Sequence, residues 1–189
     1  MIVGDKNARF PAVCNDCKTR PRHFARCRSV FEYGSAKEMI YRFKYSGRRE
    51  YAEVFATLSE KILGDYIYGN EFNCIAPVPV SKQRLLKRGY NQAAEYGREL
   101  SKVTGIPFCD DAIRRVKNTS PLKLLNPSER QNNLKNAFKT GENVVKSKCI
   151  LLVDDIYTTG ATMDECARVL LDGGAKSVYG ITLSSGTGI

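Results

Sequence analysis

Residues 149–153 read CILLV, a run without a polar side chain. A strand that is apolar on both faces needs cover on both faces, and a buried position in a parallel sheet supplies it. Behind this run Met163, Cys166, Ala167, Leu170 and Leu171 recur at i, i+3, i+4, i+7 and i+8, the stripe of an amphipathic helix that Gly173 and Gly174 end. SVYGITL (177–183) then reads as a further strand. The same alternation runs upstream. RSVFEY (28–33) is strand-like, and Tyr51, Phe55, Leu58 and Ile62 fall on one helix face. CIAPVPV (74–80) is a short apolar strand stopped by two prolines, which cannot donate to a central ladder. A helix fits residues 91–103, with Ala93, Tyr96, Leu100 and Val103 on one side and Gly105 and Pro107 closing it. Strands alternating with helices argue for an α/β domain, a mostly parallel sheet flanked by helices. A chain of 189 residues has room for one such domain and a small appendage.

VDDIYTTGAT (153–162) joins the apolar strand to its helix. In a parallel sheet, ligands bind beyond the carboxyl ends of the strands, where a helix start presents unpaired N–H groups. Asp154 and Asp155 are expected at that end. Thr158, Thr159, Gly160, Ala161 and Thr162 are expected to form the turn and first helical residues, with hydroxyls and amides able to surround a phosphate. Neither G-x-x-x-x-G-K-[ST] nor G-x-G-x-x-G is present, which sets aside the P-loop and the dinucleotide fingerprint. Here the acids directly precede the phosphate loop, so the ligand's diol and phosphate must be close neighbours. A ribose 5-phosphate meets that condition, its 2- and 3-hydroxyls donating to the carboxylates. An acidic pair at a strand end is also what a Mg2+ site or the first strand of a receiver domain presents, although little chain follows Asp155 to build a receiver.

The formal charge is +10, and ten Lys or Arg against Glu32 and Glu38 lie between Lys18 and Arg49. Such a field attracts polyanions, and it equally serves as a solvated surface. Phe24, Phe31, Tyr33, Tyr41, Phe43 and Tyr45 are interleaved with these cations, as in grooves that hold single-stranded nucleic acid. A second basic cluster, Lys82, Arg84, Lys87 and Arg88, follows the proline-rich strand and reads either as a phosphate-facing group or as the exposed face of a helix. Cys74, Cys109, Cys149 and Cys166 sit in core-like segments, whereas Cys14, Cys17 and Cys27 fall near the start. No apolar run approaches the roughly eighteen residues of a membrane span, and MIVGDKNARF does not read as a secretory signal. A cytoplasmic protein without membrane insertion is expected.

The acidic pair followed by T-x-G-x-T resembles the 5-phosphoribosyl pyrophosphate (PRPP) signature of type I phosphoribosyltransferases. Three further segments, FEYGSAKEMIYRFKYSGR (31–48), APVPVSKQRLLKRGYNQ (76–92) and KNTSPLKLLNPSERQNNLKNAF (117–138), are similar to those of the ComF (competence protein F) family. The resemblance implies ribose-binding, catalytic acids at Asp154 and Asp155 and a 5-phosphate loop at Thr158, Thr159, Gly160, Ala161 and Thr162. It implies a pyrophosphate loop at Val80, Ser81 and Lys82, with Arg84 and Arg88 beside it, and a flexible loop over the donor in the stretch holding Thr119 and Arg130. Mg2+ is the implied cofactor. Displacing pyrophosphate from C1 builds positive charge on the sugar and negative charge on the leaving group, which Mg2+ and nearby Lys or Arg stabilise, while loop closure excludes water.

The chain departs from the family pattern in two places. The family commonly opens with two C-x-x-C pairs around Zn2+, and here there is one, Cys14 and Cys17, which His23 and Cys27 would have to complete as a ligand set. Residues 1–27 are thus expected to be a degenerate zinc-ribbon-like appendage and residues 28–189 the phosphoribosyltransferase domain. In the flexible loop, Leu122 stands where the family usually has glutamine. Two functions follow from the resemblance: transfer of phosphoribosyl from PRPP to an acceptor, or non-catalytic binding of single-stranded DNA in natural transformation. The partners implied are PRPP, single-stranded DNA with the DNA-uptake machinery, and a second copy of the chain as a homodimer.

Overall fold

The apolar run at 149–153 occupies the middle of the molecule. In the computed structural model, which describes residues 21–117, 134, 136–141 and 148–186, the chain passes through β1 (Arg26–Glu32), α1 (Tyr33–Tyr45), α2 (Tyr51–Tyr68), β2 (Cys74–Pro77), α3 (Lys82–Arg88) and α4 (Gln92–Thr104). It continues through β3 (Ile113–Arg115), β4 (Phe138–Thr140), β5 (Cys149–Tyr157), α5 (Ala161–Asp172) and β6 (Ser177–Ser185). Four strands form one sheet in the order β1-β6-β5-β2, every pairing parallel. β3 and β4 form a separate antiparallel pair.

Strand periodicity sorts the two cores. Ile150 and Leu152 pack with Phe138 and with Met163, Cys166 and Leu170 of α5. Leu151 and Val153 point the other way, into a layer with Ile40, Phe43, Phe55, Tyr96 and Leu100 from α1, α2 and α4. All four residues of the strand are wholly buried, as the two-faced apolar pattern requires. β2 stops at Pro77, and Val78 still donates to the Val153 carbonyl at 2.9 Å. Asn91 caps α4, its side chain accepting from the Ala93 N–H at 3.1 Å and donating to the Val78 carbonyl at 3.1 Å. Among the described residues no helix is long and apolar enough to cross a membrane.

Several elements differ from expectation. β1 starts at Arg26, two residues earlier than the strand-like motif, and gives way to α1 at Tyr33. The described residues before it pack on the sheet, with Ala25 donating to the Val178 carbonyl at 2.8 Å. α1 was not among the expected elements, yet Ala36, Ile40 and Phe43 carry its signal at i, i+4 and i+7 and are buried. β5 runs beyond its apolar part through both acids to Tyr157, because β6 is long enough to continue the ladder opposite Asp154, Ile156 and Tyr157. Val103 is exposed at the last turn of α4 rather than in the core. β3 and β4 are too short to leave a periodic trace. Of the four cysteines read as core, Cys74 and Cys166 are buried and Cys109 and Cys149 are partly so.

Gly97 lets α4 lie close on the sheet: a Cβ there would sit 2.8 Å from the Phe108 ring and 3.1 Å from Val153. Gly97→Val is expected to destabilise the fold by about 2 kcal/mol through overpacking, seen as a lower urea midpoint at an unchanged slope. An unchanged midpoint would show that the contact is slack.

Candidate active site

The carboxyl ends of the parallel strands lie along one edge of the sheet, and those of β5 and β6 contribute to one pocket. Asp154 stands opposite Thr182 of β6, and the Asp155 N–H donates to Asp154 Oδ1 at 2.8 Å. The chain then turns at Gly160, whose φ of +69° places it in the left-handed region. A Cβ at that position would also collide with the ring and hydroxyl of Tyr157, so glycine is required twice over. α5 starts immediately afterwards, and among the described residues no side chain caps it, so its first-turn N–H groups can face an anion. Asp154, Thr158, Gly160, Ala161, Thr162 and Thr182 line a single pocket. Thr159 lies in the same turn, and its carbonyl accepts from Arg22 at 2.8 Å.

The acids are not left as two bare charges. Lys44 Nζ, from the last turn of α1, lies 2.9 Å from Asp155 Oδ2, with side-chain exposures of 12% and 17%. Burial, and secondarily the Asp155 charge, push the Asp154 carboxyl up to about 7; the Asp155 N–H, Lys44 and Arg84 oppose that rise. Arg84 thus exerts its charge on Asp154 from α3. Arg115, at the end of β3, lies over the Phe138 ring at 5.3 Å. Burial and then the neighbouring Arg84 lower its pKa, which places two guanidinium groups in each other's field.

Comparison with known proteins gives this arrangement a family. Residues 52–186 match the phosphoribosyl transferase domain. Competence protein ComFC of Bacillus subtilis is 33% identical over 181 residues, covering 91% of this chain and 72% of that one. DNA utilization protein YhgH of Escherichia coli K12 is 30% identical over 172 residues, covering 87% and 74%. The chain belongs to the ComF family. Competence protein F of Haemophilus influenzae is 37% identical over a shorter stretch of 106 residues, covering 55% of this chain and 46% of that one. The ComF chain therefore carries a phosphoribosyl transferase domain on a mostly parallel sheet.

In this ComF protein the residues assigned to pyrophosphate are placed unevenly. Ser81 is buried and caps α3, accepting from the Arg84 N–H at 3.3 Å. Val80 is half-buried and Lys82 exposed, and no residue of α3 is buried, so the basic cluster rides on a solvent-facing helix. Arg88 donates to Gln92 Oε1 at 2.8 Å and to the Tyr45 hydroxyl at 3.3 Å, tying α3 to α4 and α1. Thr119, Leu122, Arg130, Cys14 and Cys17 lie outside the described residues. His23 is packed against α5, its backbone N–H 2.6 Å and its Nδ1 3.2 Å from Asp164 Oδ1. Cys27 is a β1 residue against Gly180. Among the described residues no group of three or more His, Cys, Asp or Glu gathers as a metal site.

Of the interleaved aromatics, Phe24 and Phe43 are core residues, and Tyr41 and Tyr45 are exposed, at 60% and 49%. The sequence missed Lys44 as a site residue because its neighbours read as a basic surface; its position one residue after buried Phe43 was the available signal. Arg115 had no such signal, since its approach depends on the β3–β4 pairing.

A folded-state value of about 7 against the ordinary 3.8 means that Asp154 binds its proton more tightly folded than unfolded. In metal-free buffer it therefore lowers stability as pH rises through that interval. Asp154→Asn should be more stable than the parent above about pH 7, by on the order of 1–3 kcal/mol, and lose the advantage below about pH 4. Parallel melting temperatures across that range would show an ordinary carboxylate.

Proposed function

We propose that this protein binds PRPP with Mg2+ and transfers the 5-phosphoribosyl group to an acceptor. The observation that carries this reading is the single pocket shared by Asp154 and by the uncapped start of α5, joined through the Gly160 turn. Asp154 and Asp155 accept hydrogen bonds from the ribose 2- and 3-hydroxyls, and the loop from Thr158 to Thr162 takes the 5-phosphate through amides and hydroxyls. Arg84 and Arg115, with Lys82 nearby in the chain, offset the charge that pyrophosphate acquires as the C1–O bond breaks and it keeps the electron pair. The carboxylates and threonine hydroxyls are hard oxygen donors of the kind Mg2+ takes. Asp154 and Asp155 would share the ion with substrate oxygens, and the ion would neutralise the leaving group.

PRPP with Mg2+ is expected to raise the melting temperature, since a ligand at a hundred times its Kd adds about 2.7 kcal/mol. Asp155→Asn and Gly160→Ala should abolish the shift. A parent melting curve indifferent to PRPP would overturn the reading, and PRPP-dependent pyrophosphate release across candidate bases and amines would identify the acceptor.

A second reading, binding of single-stranded DNA in natural transformation, has its own support. Tyr41 and Tyr45 are exposed with ring centroids 5.1 Å apart, and the Arg88 guanidinium lies 5.1 Å over Tyr45. Relatives bearing competence and DNA-utilization names agree with it. Lys44 is withdrawn from this face by its pairing with Asp155, while Arg42 is exposed and paired with Glu38 at 2.6 Å. A labelled oligonucleotide should bind with strong salt dependence, and Tyr41→Ala should weaken it by about 1–3 kcal/mol. Binding that ignores both salt and Tyr41 would remove this reading.

A further inference from the structure

We infer that Lys44 is a positioning residue for the ribose-binding acids, set in place by the residues that follow α3; the inference rests on the PRPP reading of the site. Lys44 and Arg42 sit on the same helix, yet their ion pairs differ in kind. Arg42 and Glu38 have side chains 52% and 77% exposed, a solvated pair that constrains little. Lys44 and Asp155 are 12% and 17% exposed across two separate elements. Withdrawing a long cationic side chain from water sacrifices rotamer freedom and hydration, so its geometry must be held by its surroundings.

Both chain neighbours of Lys44 are gripped. The Tyr90 hydroxyl donates to the Phe43 carbonyl, and the two rings meet with centroids 5.9 Å apart. On the other side, Arg88 donates to the Tyr45 hydroxyl at 3.3 Å and lies over its ring. Tyr90 is covered in turn by Arg49, 4.6 Å above its ring, which also donates to the Gly89 carbonyl at 3.2 Å. The segment from Arg88 to Tyr90 thus brackets Lys44 and directs it at Asp155.

The contact engages Asp155 Oδ2, and a carboxylate with two oxygens retains acceptor capacity for a hydroxyl. Lys44 therefore fixes the rotamer of Asp155 and offsets the repulsion between the two acids without occupying the sugar's place. Its effect should appear in ribose recognition and not in phosphate recognition.

Calorimetric titration of ribose 5-phosphate, of PRPP with Mg2+ and of inorganic pyrophosphate separates these cases. Lys44→Met is expected to weaken ribose 5-phosphate and PRPP at least tenfold and leave pyrophosphate unchanged, and Lys44→Arg to recover part of the loss. Tyr90→Phe, which keeps the cation, should give a smaller loss with the same selectivity. It decides the matter if Lys44→Met does not fold. A parent protein that binds while Lys44→Met, or in its place Tyr90→Phe, binds all three ligands equally well overturns the inference alone. Matching losses for pyrophosphate would make Lys44 a direct phosphate ligand instead. A parent that binds neither ribose 5-phosphate nor PRPP overturns the donor reading and this inference with it.

Discussion

Burial of both faces of β5 is the constraint on which the remaining structure depends. Each fully buried Ile, Leu or Val side chain contributes about 1.5–3 kcal/mol, so Ile150, Leu151, Leu152 and Val153 demand a helical layer on either side. α5 and the β3–β4 pair supply one layer; α1, α2 and α4 supply the other. Polar side chains can then enter this strand only where the layers end. The ladder with β6 continues past that point and carries both acids on strand backbone beyond the apolar core, Asp154 into the pocket wall. Strand pairing, rather than loop flexibility, sets where the acids stand.

Two adjacent carboxylates repel one another, and the chain answers with cations from two elements that are distant in sequence: Lys44 from α1 and Arg84 from α3. Their actions differ. Lys44 pairs directly with Asp155, whereas Arg84 acts on Asp154 as a charge. Desolvation by burial is the largest cause of the raised proton affinity of Asp154.

The strands and the glycine turn were legible because each has a local cause. CILLV is apolar on both faces, Pro77 and Pro79 have no N–H to donate to a ladder, and Gly160 precedes a periodic helical stripe. α1 was legible in principle through Ala36, Ile40 and Phe43, but its aromatic and basic residues read more readily as a polyanion surface. Phe43 belongs to the core and Lys44 pairs with Asp155, so part of that apparent surface faces inward. Arg88 shows the converse. It stands in a motif that suggests phosphate, yet its partners, Tyr45 and Gln92, come from α1 and α4, and no local pattern announces them.

The Gly160 turn is held from both sides, and this bears on how it would bind an anion. Tyr157 fills the space beneath Gly160, while Arg22 takes the Thr159 carbonyl from the side of the N-terminal segment. His23 adds two contacts to Asp164 in the first turn of α5, and Phe24 meets the Tyr157 ring edge to face at 6.4 Å. The residues entering β1 are thus mechanically part of the loop's support. A turn fixed in this way before its ligand arrives loses little further freedom on binding, so more of the contact energy from the amides and hydroxyls is retained as affinity. The same logic separates the loop from α3, where no residue is buried: Arg88 is already held by Gln92 and Tyr45, whereas the exposed side chains of Lys82, Arg84 and Lys87 would be ordered by the ligand itself.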